Sequence, residues 1–280
     1  MADVRKINIV LVVFLYILVV VFAVLAVYPI FWVVIQSFKT TQDYMSSSKL
    51  AFPKNWYYKN YPLSWENAKF GILMINSVIY TAVSTILVLL LSLAAGYAFA
   101  KLPSKLTPIL HGSFIIGILL TIQSLMVPLF LMINTVGLYN TRLGVIICYV
   151  GTGLPIGVYL CTEFIKGIPD SLIESARIDG ARQMRILSSI IIPIAVPVAV
   201  TLAILSVTGT WNEFMLINIL VSKTELKSLP VGINQFSGAR ASDFGKQFSA
   251  LTIGMAPMIL FYMIFRKQIT KGVAAGAVKG

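Results

Sequence analysis

Residues 167–193 read G-I-P-D-S-L-I-E-S-A-R-I-D-G-A-R-Q-M-R-I-L-S-S-I-I-I-P. Asp170, Glu174, Arg177, Asp179, Arg182 and Arg185 fall here, between two long apolar runs that carry almost no charge. A polar segment of this size between two membrane spans must lie outside the hydrocarbon. Its pattern predicts a short surface helix. Pro169 punctuates the exit from the preceding run, and Ser171 with Glu174 forms a capping box at the helix start. Leu172, Ile173 and Ala176 share one side. Gly180 ends the helix in a left-handed conformation, and a second helical piece starts at Arg182 and continues into the apolar residues 186–203. A plain solvated connection would leave the capped amphipathic helix and its glycine hinge unexplained.

The flanking runs set the class. The chain has 280 residues, 58% hydrophobic and 11% charged, against roughly a quarter charged in soluble chains. Residues 7–38 form the first uncharged run, behind Arg5 and Lys6. Val24-Leu25-Ala26 resembles a cleavage site, but a signal core is about 7–15 residues, so the run reads as a retained span. Residues 39–70 are polar and rich in aromatics (Phe52, Trp56, Tyr57, Tyr58, Tyr61, Trp65); such rings anchor at a membrane interface or receive a partner. The second span is 73–100, where Ala94, Ala95, Gly96 and Ala98 allow close helix approach. The third is 108–133, with Gln123 and Pro128 inside it. The fourth is 143–162, loosened by Gly151, Gly153, Pro155 and Gly157. The fifth, 186–211, is broken by Pro193 and Pro197; the sixth, 248–265, is stopped by Arg266-Lys267. The expected fold is therefore an all-α polytopic membrane protein with six transmembrane helices.

Net charge is +12, yet no basic stripe with interleaved aromatics points to nucleic acid; anionic lipid headgroups and the positive-inside rule account for it. With six spans both termini share a side, and the denser Lys and Arg of that side favour the cytoplasm. Cys148 and Cys161 lie thirteen residues apart on one helix, about 20 Å along the axis, too far to bond. His111 is the sole histidine, so neither a metal cluster nor a Ser-His-Asp set is expected. No G-x-x-x-x-G-K-[ST] run occurs. Energy for any work must come from a partner ATPase or an ion gradient.

Glu174-Ser175-Ala176, Gly180, Ile190 and Ile192-Pro193 resemble the E-A-A---G---------I-L-P signature of ABC importer permeases. Ser175 stands where that pattern has Ala, and Ile192 where it has Leu. Asp179-Gly180-Ala181 and Ile168-Pro169 resemble the carbohydrate branch, the maltose-type second permease subunit, as do Asn76-Ser77, the stretch 94–100, 137–141, Leu229-Pro230-Val231-Gly232 and the glycine-rich tail. The resemblance runs from about Leu73 to Gly280. It implies a cytoplasmic coupling helix between the fourth and fifth spans, with Ser171, Glu174, Ser175, Ala176, Asp179, Gly180 and Ala181 contacting an ATPase. It also implies a second permease subunit as heterodimer partner, two cytoplasmic ATPases that bind ATP-Mg, an extracytoplasmic sugar-binding protein, and a bacterial or archaeal cell membrane as location. No cofactor is expected in this chain. The expected divisions are 1–72 (first span and loop), 73–265 (core, with coupling loop 163–185) and 266–280 (tail).

The rival class is a carrier or channel working alone. Coupled carriers place titratable groups mid-membrane and often show repeats; here no repeat is visible, and the one candidate acid, Glu213, ends a span. For cargo, the resemblance extends to sugars and glycerol phosphate. Trp211-Asn212-Glu213-Phe214 closes the fifth span: the indole either stacks on a sugar ring or anchors at the interface. With Gln123 and Tyr159, Trp211, Asn212 and Glu213 are the candidate path residues. The spans contain no Arg or Lys, which favours a neutral, hydroxyl-rich cargo, an oligosaccharide above all.

Overall fold

The computed structural model describes residues 9–102, 104–236 and 243–277. The chain forms α1 (Ile9–Gln36), α2 (Thr41–Ser46), α3 (Asn60–Asn67), α4 (Phe70–Lys101), α5 (Thr107–Leu119), α6 (Ile122–Thr135) and α7 (Arg142–Lys166). There follow α8 (Asp170–Ile178), α9 (Gln183–Ile186), a π turn (Leu187–Ile191), α10 (Ile192–Ile194) and α11 (Val196–Trp211). Last come α12 (Met215–Leu220), a 3-10 turn (Thr224–Leu226), α13 (Leu229–Asn234) and α14 (Phe244–Ala277). No strand occurs among the described residues.

Among the described residues four helices are long and apolar enough to cross a membrane: α1, α4, α7 and α14. Two further pairs qualify as bent spans, α5 with α6 (113°) and residues 183–194 with α11 (77°), giving up to six. The second bend lies between Pro193 and Pro197, as their missing N–H groups require. The first bend falls within the expected third span. Pro128 stays inside α6, and the chain turns at Leu120 and Thr121, both extended, with the Thr121 and Ser124 hydroxyls 2.9 Å apart. The sixth span is corrected: α14 continues through Arg266-Lys267 to Ala277, because Arg and Lys are good helix formers and oppose burial in lipid rather than helix. Arg5, Lys6 and Lys279 lie outside the described residues.

Two compact units emerge. The first comprises the chain to Ala68 with Ile233–Ala256. Trp32 meets Phe248 edge-on at 5.3 Å, Tyr44 packs on Phe244 at 4.7 Å, and Phe38 collects Trp56, Tyr58 and Tyr61. Of the loop aromatics, Trp56, Tyr58 and Tyr61 thus gather on Phe38 at the end of the first span, while Phe52 is 62% exposed. Asn60 donates to the carbonyls of Ser37 and Lys39 at 2.7 and 2.8 Å.

The second unit comprises Lys69–Gly232 with α14 from Pro257. Its spine is α4 against α7, with α11 alongside. The helix α7 stays continuous, and Gly96, Gly153 and Gly157 are contact points, whereas Gly151 faces open space. A Cβ on Gly96 would lie 2.7 Å from Cys161 Cβ, and one on Gly157 would collide with the Ser92 hydroxyl. The first turns of α4 hold the 225–229 segment by its backbone. Asn76 donates to the carbonyls of Glu225 (2.7 Å) and Lys227 (3.0 Å), Tyr80 donates to that of Leu226 (2.7 Å), and Ser77 Oγ accepts the Leu229 N–H (2.8 Å).

Candidate functional site

Two places in the second unit gather polar chemistry. The first is α8. Its expected capping box is absent: the helix begins two residues earlier, with Pro169 rather than Ser171 at the cap position and no side-chain cap. Asp170 sits in the first turn, where a carboxylate favours the helix dipole, and it pairs with Lys101 at 2.7 Å. Lys101 draws the helix start to Asp170, leaving Ser171 and Glu174 exposed. Ile173 and Ala176 are buried as expected, whereas Leu172 is 45% exposed and leaves the predicted apolar face.

The helix end follows the expectation. Gly180 has φ +78°, and the Gly180 and Ala181 N–H groups bond the carbonyls of Arg177 (3.0 Å) and Ala176 (2.9 Å). That is a Schellman motif, which needs a residue comfortable in the left-handed region. Asp179 is the C-cap, Ser175 is exposed, and Ala181 packs partly against the core. Ile178 (87% exposed) and Met184 (75%) flank the glycine, presenting two apolar side chains to whatever covers them. A cavity of about 500 Å³ opens beside the helix, lined by Asp170, Glu174, Arg177, Lys101 and the α4–α5 turn.

The second place is a cavity of about 510 Å³ enclosed by α5, α6, α7 and α11, mostly apolar, with Tyr149, Thr152, Ser206, Thr210 and Glu213 as its polar wall. Among the described residues, Glu213 is the one charged residue lining it. Its carboxylate accepts the Leu216 and Ile217 N–H groups that open α12 and the Tyr149 hydroxyl at 2.8 Å. It is therefore a fixed acid that keeps acceptor capacity toward the cavity, three of about four acceptor positions being used. Of the five candidate path residues, Glu213 alone lines this cavity. Trp211 is buried within the helix packing, and the Asn212 amide donates to the Thr208 carbonyl at 2.9 Å. Gln123 is exposed with its amide 3.9 Å from Met215 Sδ, and Tyr159 is 37% exposed. Sequence reasoning missed Tyr149, one tyrosine in an apolar run; only its pairing with Glu213, 64 residues on, distinguishes it. Among the described residues no group of His, Cys, Asp and Glu is placed to hold a metal ion.

Comparison with known proteins places this architecture. Residues 92–275 match the family described as binding-protein-dependent transport system inner membrane component. The multiple sugar-binding transport system permease protein MsmG of Streptococcus mutans is 33% identical over 94% of this chain and 96% of its own. The diacetylchitobiose uptake system permease protein NgcG of Streptomyces coelicolor is 30% identical over 94% and 87%. A solved bacterial ABC transporter involved in import of the acidic polysaccharide alginate superposes with TM-score 0.80 at 21% identity, covering 95% of this chain and 99% of that one; at that identity it speaks for the fold. The chain belongs to the binding-protein-dependent transport system inner membrane component family. It is a multi-pass integral protein of the cell membrane and a non-catalytic permease subunit of an ABC importer.

Proposed function

We propose that this subunit forms, with a second permease, the import path for a neutral oligosaccharide. Two cytoplasmic ATPases binding ATP-Mg drive it, and an extracytoplasmic binding protein delivers the sugar. The bent pairs each count as one span, giving six, with both termini and α8 in the cytoplasm. On this reading α8 is the coupling helix, and Ser171, Glu174, Ser175, Ala176, Asp179, Gly180 and Ala181 form the ATPase contact, with Ile178 and Met184 as its apolar anchors. The divisions 1–72, 73–265 and 266–280 serve as first span and loop, path and tail. Alternating access follows: ATP binding closes the ATPases, α8 moves with them, and the spans turn outward; hydrolysis resets them.

The observation behind the cargo is the cavity wall: hydroxyls from Tyr149, Thr152, Ser206 and Thr210 beside a single acid and no base. An anionic cargo such as glycerol phosphate or an acidic polysaccharide would meet Glu213 without a compensating cation. Hydroxyl-rich neutral rings match hydroxyl and carboxylate partners on an apolar floor. The relatives named for sugars and diacetylchitobiose point the same way. We therefore take Glu213 as a path residue and add Tyr149. Trp211 and Asn212 act by closing the helix that carries the wall, and Gln123 and Tyr159 are assigned to other positions along the path. The test is uptake by the reconstituted complex with its binding protein, against labelled neutral oligosaccharides, alginate oligosaccharides, glycerol phosphate, amino acids and peptides. Uptake of neutral oligosaccharides alone is expected; uptake of an anionic or peptide cargo instead overturns the reading.

A further inference from the structure

Two side chains one turn apart on α4 grip the two ends of residues 168–183. The Lys101 side chain is only 6% exposed. Its ammonium donates to the Ile168 carbonyl at 2.6 Å, to Asp170 at 2.7 Å and to the Lys166 carbonyl at 3.4 Å. Three acceptors use its full donor complement. Asp170 alone, largely exposed, would hold it loosely; the two backbone carbonyls make the grip definite. Four residues earlier Tyr97, 3% exposed, donates its hydroxyl to Gln183 Oε1 at 2.5 Å.

Positions 97 and 101 share one face of α4, so a single surface clasps the chain just before α8 and just after its glycine end. Between the two grips Ile173 and Ala176 are buried in the same apolar cluster as Tyr97, Ile168 and Ile186. The helix that grips is itself fixed at this level, since Gly96 brings it into direct contact with Cys161 on α7.

We propose that Lys101 and Tyr97 are positioning residues that bind residues 168–183 and α4 into one rigid body, so that a force on the segment displaces α4 instead of flexing the loop. The source of that force rests on the reading of α8 as the ATPase contact; the rigidity does not. Neither residue lines the cavity assigned to cargo. Each acts through the segment it holds.

The test uses the assembled importer in a background with Cys148→Ala and Cys161→Ala. Nitroxides at Leu172→Cys and Leu90→Cys, both exposed and neither in the assigned ATPase contact, report the distance from segment to helix, in the nucleotide-free state and after trapping with ATP, Mg²⁺ and vanadate. The expected result is one narrow distance, unchanged by trapping, in the otherwise unaltered chain and in Lys101→Arg. Lys101→Met combined with Tyr97→Phe should broaden it and shift it on trapping, and should cut stimulation of ATP hydrolysis by the purified binding protein several-fold while the ATPases stay bound. A distance that shifts on trapping in the unaltered chain, or a double variant that keeps the narrow distance and full stimulation, overturns the proposal. Docking is judged apart, by Ile178→Asp: ATPases retained by that variant would count against the ATPase contact alone and leave the distance measurement readable.

Discussion

The Tyr149 hydroxyl donates to Glu213 Oε2 across 64 residues of sequence, and the same carboxylate receives the first N–H groups of α12. One acid thus fixes the cavity wall on α7 to the turn that leaves α11. Side chains preorganised in this way lose little freedom when cargo arrives.

Tyr149→Phe removes one donor to that carboxylate and one hydroxyl from the wall. A hydrogen bond to a charged group contributes about 1.5–3 kcal/mol, so the apparent KM for sugar should rise roughly tenfold, at similar expression and assembly. Glu213→Ala should do more, since it also leaves α12 uncapped at a cost of about 1 kcal/mol. Uptake kinetics in proteoliposomes and melting in detergent separate the two; unchanged kinetics in Tyr149→Phe would remove that residue from the path.

How much of this could be read from the sequence depends on how local the cause is. The end of α8 was legible, because a glycine behind an amphipathic stretch has a local reason to adopt positive φ, and φ is +78°. Its start was not: Ser171 and Glu174 satisfy the local rule, but Asp170 is held by Lys101, 69 residues earlier. The bend at Leu120 and Thr121 has no proline or glycine to announce it, while Pro128, which would announce one, sits inside a continuous helix. The 77° bend between Pro193 and Pro197 was legible for the opposite reason. Trp211, Asn212, Gln123 and Tyr159 have the uncharged chemistry that a sugar path needs, but burial and packing, which sequence does not display, set them away from the cavity.

A Cβ at Gly180 would meet nothing within 4 Å, so substitution there is a backbone effect first. Gly180→Asn, which tolerates the left-handed region, should retain coupling largely intact. Gly180→Leu carries a strain of about 1–2 kcal/mol and a bulky addition to the proposed docking face, and should lose most binding-protein-stimulated ATP hydrolysis. Equal activity in both variants would remove the glycine's assigned role.

Orientation is checked with single cysteines at Leu50, which is 72% exposed, and at Ser171. An impermeant thiol reagent should reach Leu50→Cys in intact cells and Ser171→Cys only in inside-out vesicles. Labelling of Ser171→Cys from outside would reverse the topology and remove the ATPase contact with it.

In the first unit, burial pushes the Asp243 carboxyl up, but bonds from Lys246 and the Thr41 hydroxyl outweigh it and hold its pKa below the ordinary value. A depressed folded-state pKa supplies stability that is present above the unfolded value of about 3.9 and is lost as pH falls through the folded one. Asp243→Asn should therefore lower the melting temperature in detergent at pH 7, and the gap from the unaltered protein should close as pH drops below about 4. A gap that stays constant with pH would show that the charge is not what matters there.

α4 runs 32 residues without a proline, about 48 Å at 1.5 Å per residue. Near its start it carries the backbone of residues 225–229 on Asn76, Ser77 and Tyr80; at its other end it carries the α8 segment on Tyr97 and Lys101. A rod loaded at both tips transmits displacement with almost no delay and needs no relay of switching side chains between them. The loop at 225–229 should therefore act as a clock hand for the nucleotide cycle. On the proposed topology, with α8 against the ATPases, a fluorophore there should report from the far end of α4 which stage the nucleotide cycle has reached.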